Sequence, residues 1–169
     1  MKKALKYSGI VALLLAIVAF VLMMATNAVV QSSGSVQVVT AGTTAIFGKT
    51  ESTILGDVVT KPSVLALIGW ILALVGMLIL CLGVVLPLLK VKALEKFAGL
   101  LNLVAVVCLV VAGVFCFLVV PTFFAANGYD SVPDNAAIGA GWVIAGIVNI
   151  LAGALAIAPA AADFLGKKK

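Results

Sequence analysis

Residues 63–89 read SVLALIGWILALVGMLILCLGVVLPLL, a run without a single formal charge. A helix of that length outspans the hydrocarbon layer of a bilayer, which takes about 20 residues at about 1.5 Å each. Three further runs behave alike, Tyr7–Val30, Phe97–Val120 and Ala136–Ala162, and the first charge after the last of them is Asp163. The expected fold is an all-α membrane protein with one domain over residues 1–169. Its spans lie near 7–30, 63–89, 97–120 and 136–162, and its outer loops are 31–62 and 121–135. With a mean hydropathy of +1.34, and only 32 residues in the longest stretch outside the spans, no soluble domain is expected beside them.

The net charge of +5 is distributed, not general. Four crossings put Lys2, Lys3, Lys6, Lys90, Lys92, Lys96 and Lys167–Lys169 on one side, nine lysines against Glu95 and Asp163, a balance of +7. The other side holds Lys49 and Lys61 against Glu51, Asp57, Asp130 and Asp134, a balance of −2. Lysines in short flanking loops stay cytoplasmic, so both termini and the 90–96 connection are expected inside, in a multi-pass protein of the plasma membrane. The lysines thereby read as topology signals and lipid contacts, with no nucleic-acid partner expected. Trp70 and Trp142 near the outer boundary and Tyr7 near the inner one suit headgroup-level anchoring.

Met1–Gly9 resembles the basic start of a signal peptide, and Thr26-Asn27-Ala28 resembles a small-residue cleavage site. The uncharged stretch that follows the lysines is longer than such peptides use. It also carries Gly9, Ala12, Ala16 and Ala19 at three-four spacing, a stripe that suits packing against other helices. The first span is therefore expected to be retained.

Lipid is as apolar as leucine, so membrane helices associate through close packing that small residues permit. Gly69, Gly76 and Gly83 recur every seven residues, as do Gly139, Gly146 and Gly153. The third span aligns Ala98, Asn102, Ala105, Ala112 and Cys116 on one seam. A seven-residue repeat implies left-handed winding, so a left-handed four-helix bundle is expected. Asn102 and Asn149, the chief polar groups within the spans, are expected to bond across to a neighbouring backbone.

Local signals set the boundaries. Pro62 is expected at the start of the second span, Pro121 at the end of the third, and Asp134 or Asn135 as the cap of the fourth. Pro87 should loosen the last turn of the second. The first outer loop is strand-prone: Ser35–Val38 alternates, Gly42-Thr43-Thr44 breaks it, and Thr53–Leu55 and Val58–Thr60 flank Gly56-Asp57. Asn127-Gly128 reads as a turn.

The chain has no histidine and no arginine, which removes the commonest general base and bidentate phosphate binding. Its three cysteines, Cys81, Cys108 and Cys116, all lie in spans and form no Cys-x-x-Cys pair. No enzymatic activity, cofactor or metal is expected. The apolar residues of the outer loops are the candidates for partner contact: Ile46, Phe47, Phe123, Phe124 and Tyr129. Their other reading is that they pack on one another.

Four spans, a strand-prone first outer loop and a shorter second one resemble the tetraspan layout of claudins. The resemblance is one of topology over the whole chain, because residues 31–62 contain none of the Trp and Cys of the claudin signature. Ala45-Ile46-Phe47-Gly48 after the first span is similar to a stretch in small uncharacterised bacterial four-helix membrane proteins. The expected role is a non-enzymatic protein that offers its outer loops to a protein partner or a second copy. The alternatives are a subunit of an oligomeric channel or transporter, and an envelope protein that binds lipid through its lysine clusters.

Overall fold

The computed structural model describes residues 2–54, 56–88 and 97–165, with side chains given for 7–85 apart from Leu55, and for 97–161. The 90–96 connection and Lys167–Lys169 lie outside the described residues. In chain order the elements are α1 (Lys2–Ala25), β1 (Asn27–Ser33), β2 (Val36–Ala41), α2 (Gly42–Phe47), β3 (Lys49–Thr53), β4 (Gly56–Thr60), α3 (Val64–Leu88), α4 (Ala98–Phe117), α5 (Val119–Ala126), β5 (Ala136–Ile138) and α6 (Ala140–Leu165). Four helices are long and apolar enough to cross a membrane: α1, α3, α4 and α6. The helical chain with small sheets matches the expected class in outline.

Packing follows the small residues. α4 lies along both α3 and α6, and α1 lies along α6 with a lighter contact to α3. Ala12, Ala16 and Ala19 of α1 are fully buried, so the stripe that argued for a retained span is a packing face. On α3, a Cβ at Gly69 would come 3.1 Å from Phe115 Cβ, and one at Gly76 would come 3.0 Å from Cys108 Cβ. On α6, a Cβ at Gly146 would lie 3.1 Å from the Gly113 carbonyl, and one at Gly153 would lie 2.8 Å from Val110. Both glycine rows therefore face α4, whose Ala98, Ala105, Ala112 and Cys116 are buried between them. Gly113 is the unforeseen member of the seam: a Cβ there would sit 2.7 Å from the Gly146 carbonyl.

Among the described residues, the elements outside the four long helices gather at one end. β1 pairs antiparallel with β2 and, on its other side, with β5 of the second loop, in the order β2-β1-β5. β3 and β4 form a separate hairpin. The strand content expected of the first loop is present, but its phase differs. Gly42–Phe47 is a short helix, and the second hairpin turns between Thr53 and Gly56, which leaves Gly56 and Asp57 in the strand opposite Thr53 and Ser52.

Several boundaries also differ from expectation. α1 ends at Ala25, and Asn27–Val30 continue as strand. α6 begins at Ala140, because Ala136–Ile138 pair with β1. α4 ends at Phe117, since Pro121 has no N–H to offer the Phe117 carbonyl; Pro121 then sits in the first turn of α5, where that loss is harmless. α3 begins after Ser63, whose hydroxyl accepts from the Ala66 N–H at 3.3 Å, so Ser63 and not Pro62 sets the start. Neither Asp134 nor Asn135 caps α6. The Gly139 carbonyl receives the Trp142 and Val143 N–H groups instead.

The start of α2, the end of β5 and the first turn of α6 meet the end of α1 at residues 23–28. The Thr26 carbonyl accepts from the Gly42 N–H at 2.8 Å, and the Ala28 carbonyl from the Gly139 N–H at 2.9 Å. The Met23 carbonyl accepts from the Trp142 indole at 3.0 Å. A Cβ on Gly42 would fall 1.9 Å from the Met23 carbonyl oxygen, and one on Gly139 would fall 1.8 Å from that of Asn27. Gly139 is thus a junction residue and not a member of the helix seam. Gly42→Ala or Gly139→Ala is expected to cost about 3 kcal/mol, the upper end of the usual cost of overpacking, because the obstructing atoms are backbone and cannot rotate away. Gly34→Ala, at φ +62° in open space, should cost only about 1 kcal/mol. Thermal melts of the three variants in detergent check this order, and equal midpoints would refute the junction.

Candidate functional site at the strand-rich end

The surface that distinguishes this chain is the cap formed by the sheet, the hairpin, α2 and α5. Its interior is built from the residues expected to contact partners. Ile46 is fully buried, and Phe123 and Phe124 are nearly so. Phe124 meets Phe123 edge-on at 5.7 Å and Tyr129 edge-on at 5.2 Å. Ile46, Phe123 and Phe124 therefore form no exposed contact surface, and the mutual-packing reading describes them. Phe47 remains 52% exposed, with its inner edge against Trp70 at 5.2 Å, and Tyr129 also keeps an open side.

The tryptophans divide in the same way. Trp70 stacks on Phe20 at 5.5 Å and stays half-buried, as an interfacial ring would. Trp142 is fully buried and spends its N–H on the Met23 carbonyl, so it is a core strut and not a headgroup anchor.

Polar side chains tie the two loops together. The Asn127 side-chain oxygen accepts from the Lys61 N–H at 2.8 Å, and its amide donates to the Lys61 carbonyl at 3.1 Å and the Phe123 carbonyl at 2.8 Å. Asn135 makes a second tie: its amide donates to the Ser32 carbonyl at 2.8 Å, and the Ser32 N–H donates to the Asn135 carbonyl at 3.0 Å. Ser63 Oγ and Thr122 Oγ1 lie 2.6 Å apart and join the start of α3 to α5. Sequence reading found the Asn127-Gly128 turn, and Gly128 does take φ +84°, but it missed the side-chain clamp that the turn presents. Ser63 had a visible signal, a capping residue directly before an apolar run.

Inside the bundle, the two asparagines are placed by the glycine seam. Asn102 is buried against Gly83, where a Cβ would meet its Oδ1 at 2.1 Å. Asn149 is buried beside α1 and donates to the Met23 sulfur at 3.9 Å. Among the described residues neither reaches a backbone group of a neighbouring helix, which differs from the expectation.

What stays outside is aliphatic and extended. β2 exposes Val36, Val38 and Val39, and the hairpin exposes Ile54, Val58 and Val59. β2 is also an edge strand that carries neither a lysine nor a proline to discourage pairing. No family model matches this chain, and no curated protein matches it significantly.

If the Asn127 clamp fixes the hairpin to the second loop, Asn127→Ala should cost about 1–3 kcal/mol. Amide exchange over residues 48–62 should then rise, while exchange in α3 and α4 stays unchanged. Exchange that does not change at 48–62 would show that the clamp holds nothing.

Proposed function

We propose that this chain is a non-enzymatic tetraspan protein of the plasma membrane, whose helices hold a strand-rich head outside the cell for recognition by a protein partner or a second copy. Both termini are cytoplasmic in this reading, the bundle winds left-handed, and the layout is claudin-like in topology alone. The orientation is supported by the lysine balance, +7 on the terminal side against −2 on the side of the head.

The observation that carries the recognition reading is the edge strand β2. Its unpaired backbone groups lie beside Val36, Val38 and Val39, and an extended segment that added there would gain main-chain hydrogen bonds and apolar contact together. Ile46, Phe123 and Phe124 are used internally, which leaves only the isolated Phe47 and Tyr129 rings exposed, so the valine edge takes the central place in the proposed contact surface. Its chemistry selects an extended, uncharged segment.

The test is crosslinking in native membranes with a photoreactive residue at position 36, in the parent sequence and in Val38→Lys. Lysine on an edge strand opposes pairing but touches nothing in the core. Partner capture, or capture of a second copy, is expected to fall about tenfold or more with Val38→Lys at an unchanged melting temperature. Equal capture by both forms would exclude the β2 edge.

A further inference from the structure

The two outer-side loops contain two cations between them, Lys49 and Lys61, and the fold brings both to one groove. The groove holds about 310 Å³ and is bordered by Phe47, Gly48, Lys49, Thr60, Lys61 and Pro62. Its shape is built in. Gly48 takes φ +76° at the end of α2, and a Cβ there would lie 2.8 Å from the Thr60 carbonyl and 3.0 Å from Pro62. That turn sets Lys49 opposite Thr60 in the hairpin. The backbone of Lys61 is held on both its N–H and its carbonyl by Asn127, so the second lysine is fixed from the other loop.

The position of the groove along the bundle identifies what it meets. The stretch of α3 that is long and apolar enough to cross a membrane begins at Val64, just beyond Lys61 and Pro62. Trp70 lies within that stretch, and Phe47 leans on it while keeping half its surface open. The Phe47 ring therefore marks the upper edge of the acyl layer, and the two lysines stand one step further out, at the level of lipid phosphates. Glu51 already pairs with Lys49, but both partners are more than half exposed, so the pair is weak and easily exchanged.

We infer that this groove is a binding site for the phosphate headgroup of an anionic phospholipid in the leaflet at the strand-rich end. The phosphate lies between the ammonium groups of Lys49 and Lys61, and the lipid's upper acyl segment lies against Phe47. A freely soluble phosphate would not need the open ring beside the lysines; a lipid uses both. This site is at the opposite end of the helices from the large lysine clusters, and it is independent of the β2 edge.

The full-length protein, solubilised in neutral detergent, is titrated with phosphatidylglycerol or phosphatidylcholine, and bound lipid is counted by native mass spectrometry. Phosphatidylglycerol is expected to be retained over phosphatidylcholine. The double variant K49Q/K61Q should lower that retention about thirtyfold, which is the scale set by two lysines near an anionic headgroup. E51Q should raise it, because Lys49 loses its competitor. Both variants alter exposed side chains, and an unchanged melting temperature is the check on their fold. Retention by K49Q/K61Q equal to that of the parent protein overturns the inference. So does a loss confined to K167Q/K168Q/K169Q, which would place the lipid at the other end. Displacement of the bound lipid by millimolar inorganic phosphate would likewise overturn the assignment to lipid.

Discussion

The carbonyl groups at and just past the end of α1 set the terms for the rest of the molecule. The last carbonyls of any helix lack intrahelical donors, and at the edge of an apolar layer they are expensive to leave unpaired. Here the donors come from distant chain. The indole of Trp142 serves Met23 in the last turn of α1, and just past the helix the N–H of Gly42 serves Thr26 and that of Gly139 serves Ala28. Each donor can approach only because no side chain stands between: Gly42 and Gly139 press on backbone, and a Cβ at Gly141 would meet the Thr26 hydroxyl at 2.2 Å. One turn of chain thereby fixes the start of α2, the strand β5 and the entry of α6. The sheet is a consequence of that junction, since β1 leaves it already flanked by β2 and β5.

Below the junction the bundle closes around α4 through glycine and alanine. No hydrophobic force separates helix from lipid there, so cohesion comes from backbone proximity and dispersion. The approach of Gly113 to Gly146, and of Gly83 to Asn102, marks where that proximity is greatest. Asparagines in this setting tie the register to specific neighbours, because their volume fits only where a glycine or a flexible methionine faces them. A bundle packed this way is a stiff support, and a stiff support suits a head whose outer strands make few contacts of their own.

The four long apolar helices were legible in the sequence as charge-free runs, but the same signal hid their ends. Val29 and Val30 continue the first run without interruption, yet they pair with Ile138 and Ala137 in a sheet. Apolar length does not distinguish the last turn of a span from a strand buried just above it. Gly139 fell in step with Gly146 and Gly153 while belonging to no helix, so periodicity alone overextended the seam. The rings of Phe123 and Phe124 were legible as apolar loop residues. Their burial was not, because it depends on α5, whose existence follows from the missing N–H of Pro121 after Phe117. The Asn127 clamp depends on a contact across 66 residues, which no local pattern carries.

The strength of the valine edge follows from its size. Full burial of a valine contributes about 1.5–3 kcal/mol, and those of β2 are already about half covered, so each has roughly 1 kcal/mol left to give. Three of them with a few main-chain hydrogen bonds contribute near 4–6 kcal/mol before the cost of association is met, which leaves at most millimolar binding. An edge of that strength would capture little from solution. Two proteins confined to one membrane meet at a much higher effective concentration, and with their heads held at the same height the orientational cost is largely met in advance. The proposed recognition therefore depends on the stiff bundle as much as on β2. A head mounted on loosely packed helices would lose the alignment that makes so small a surface sufficient.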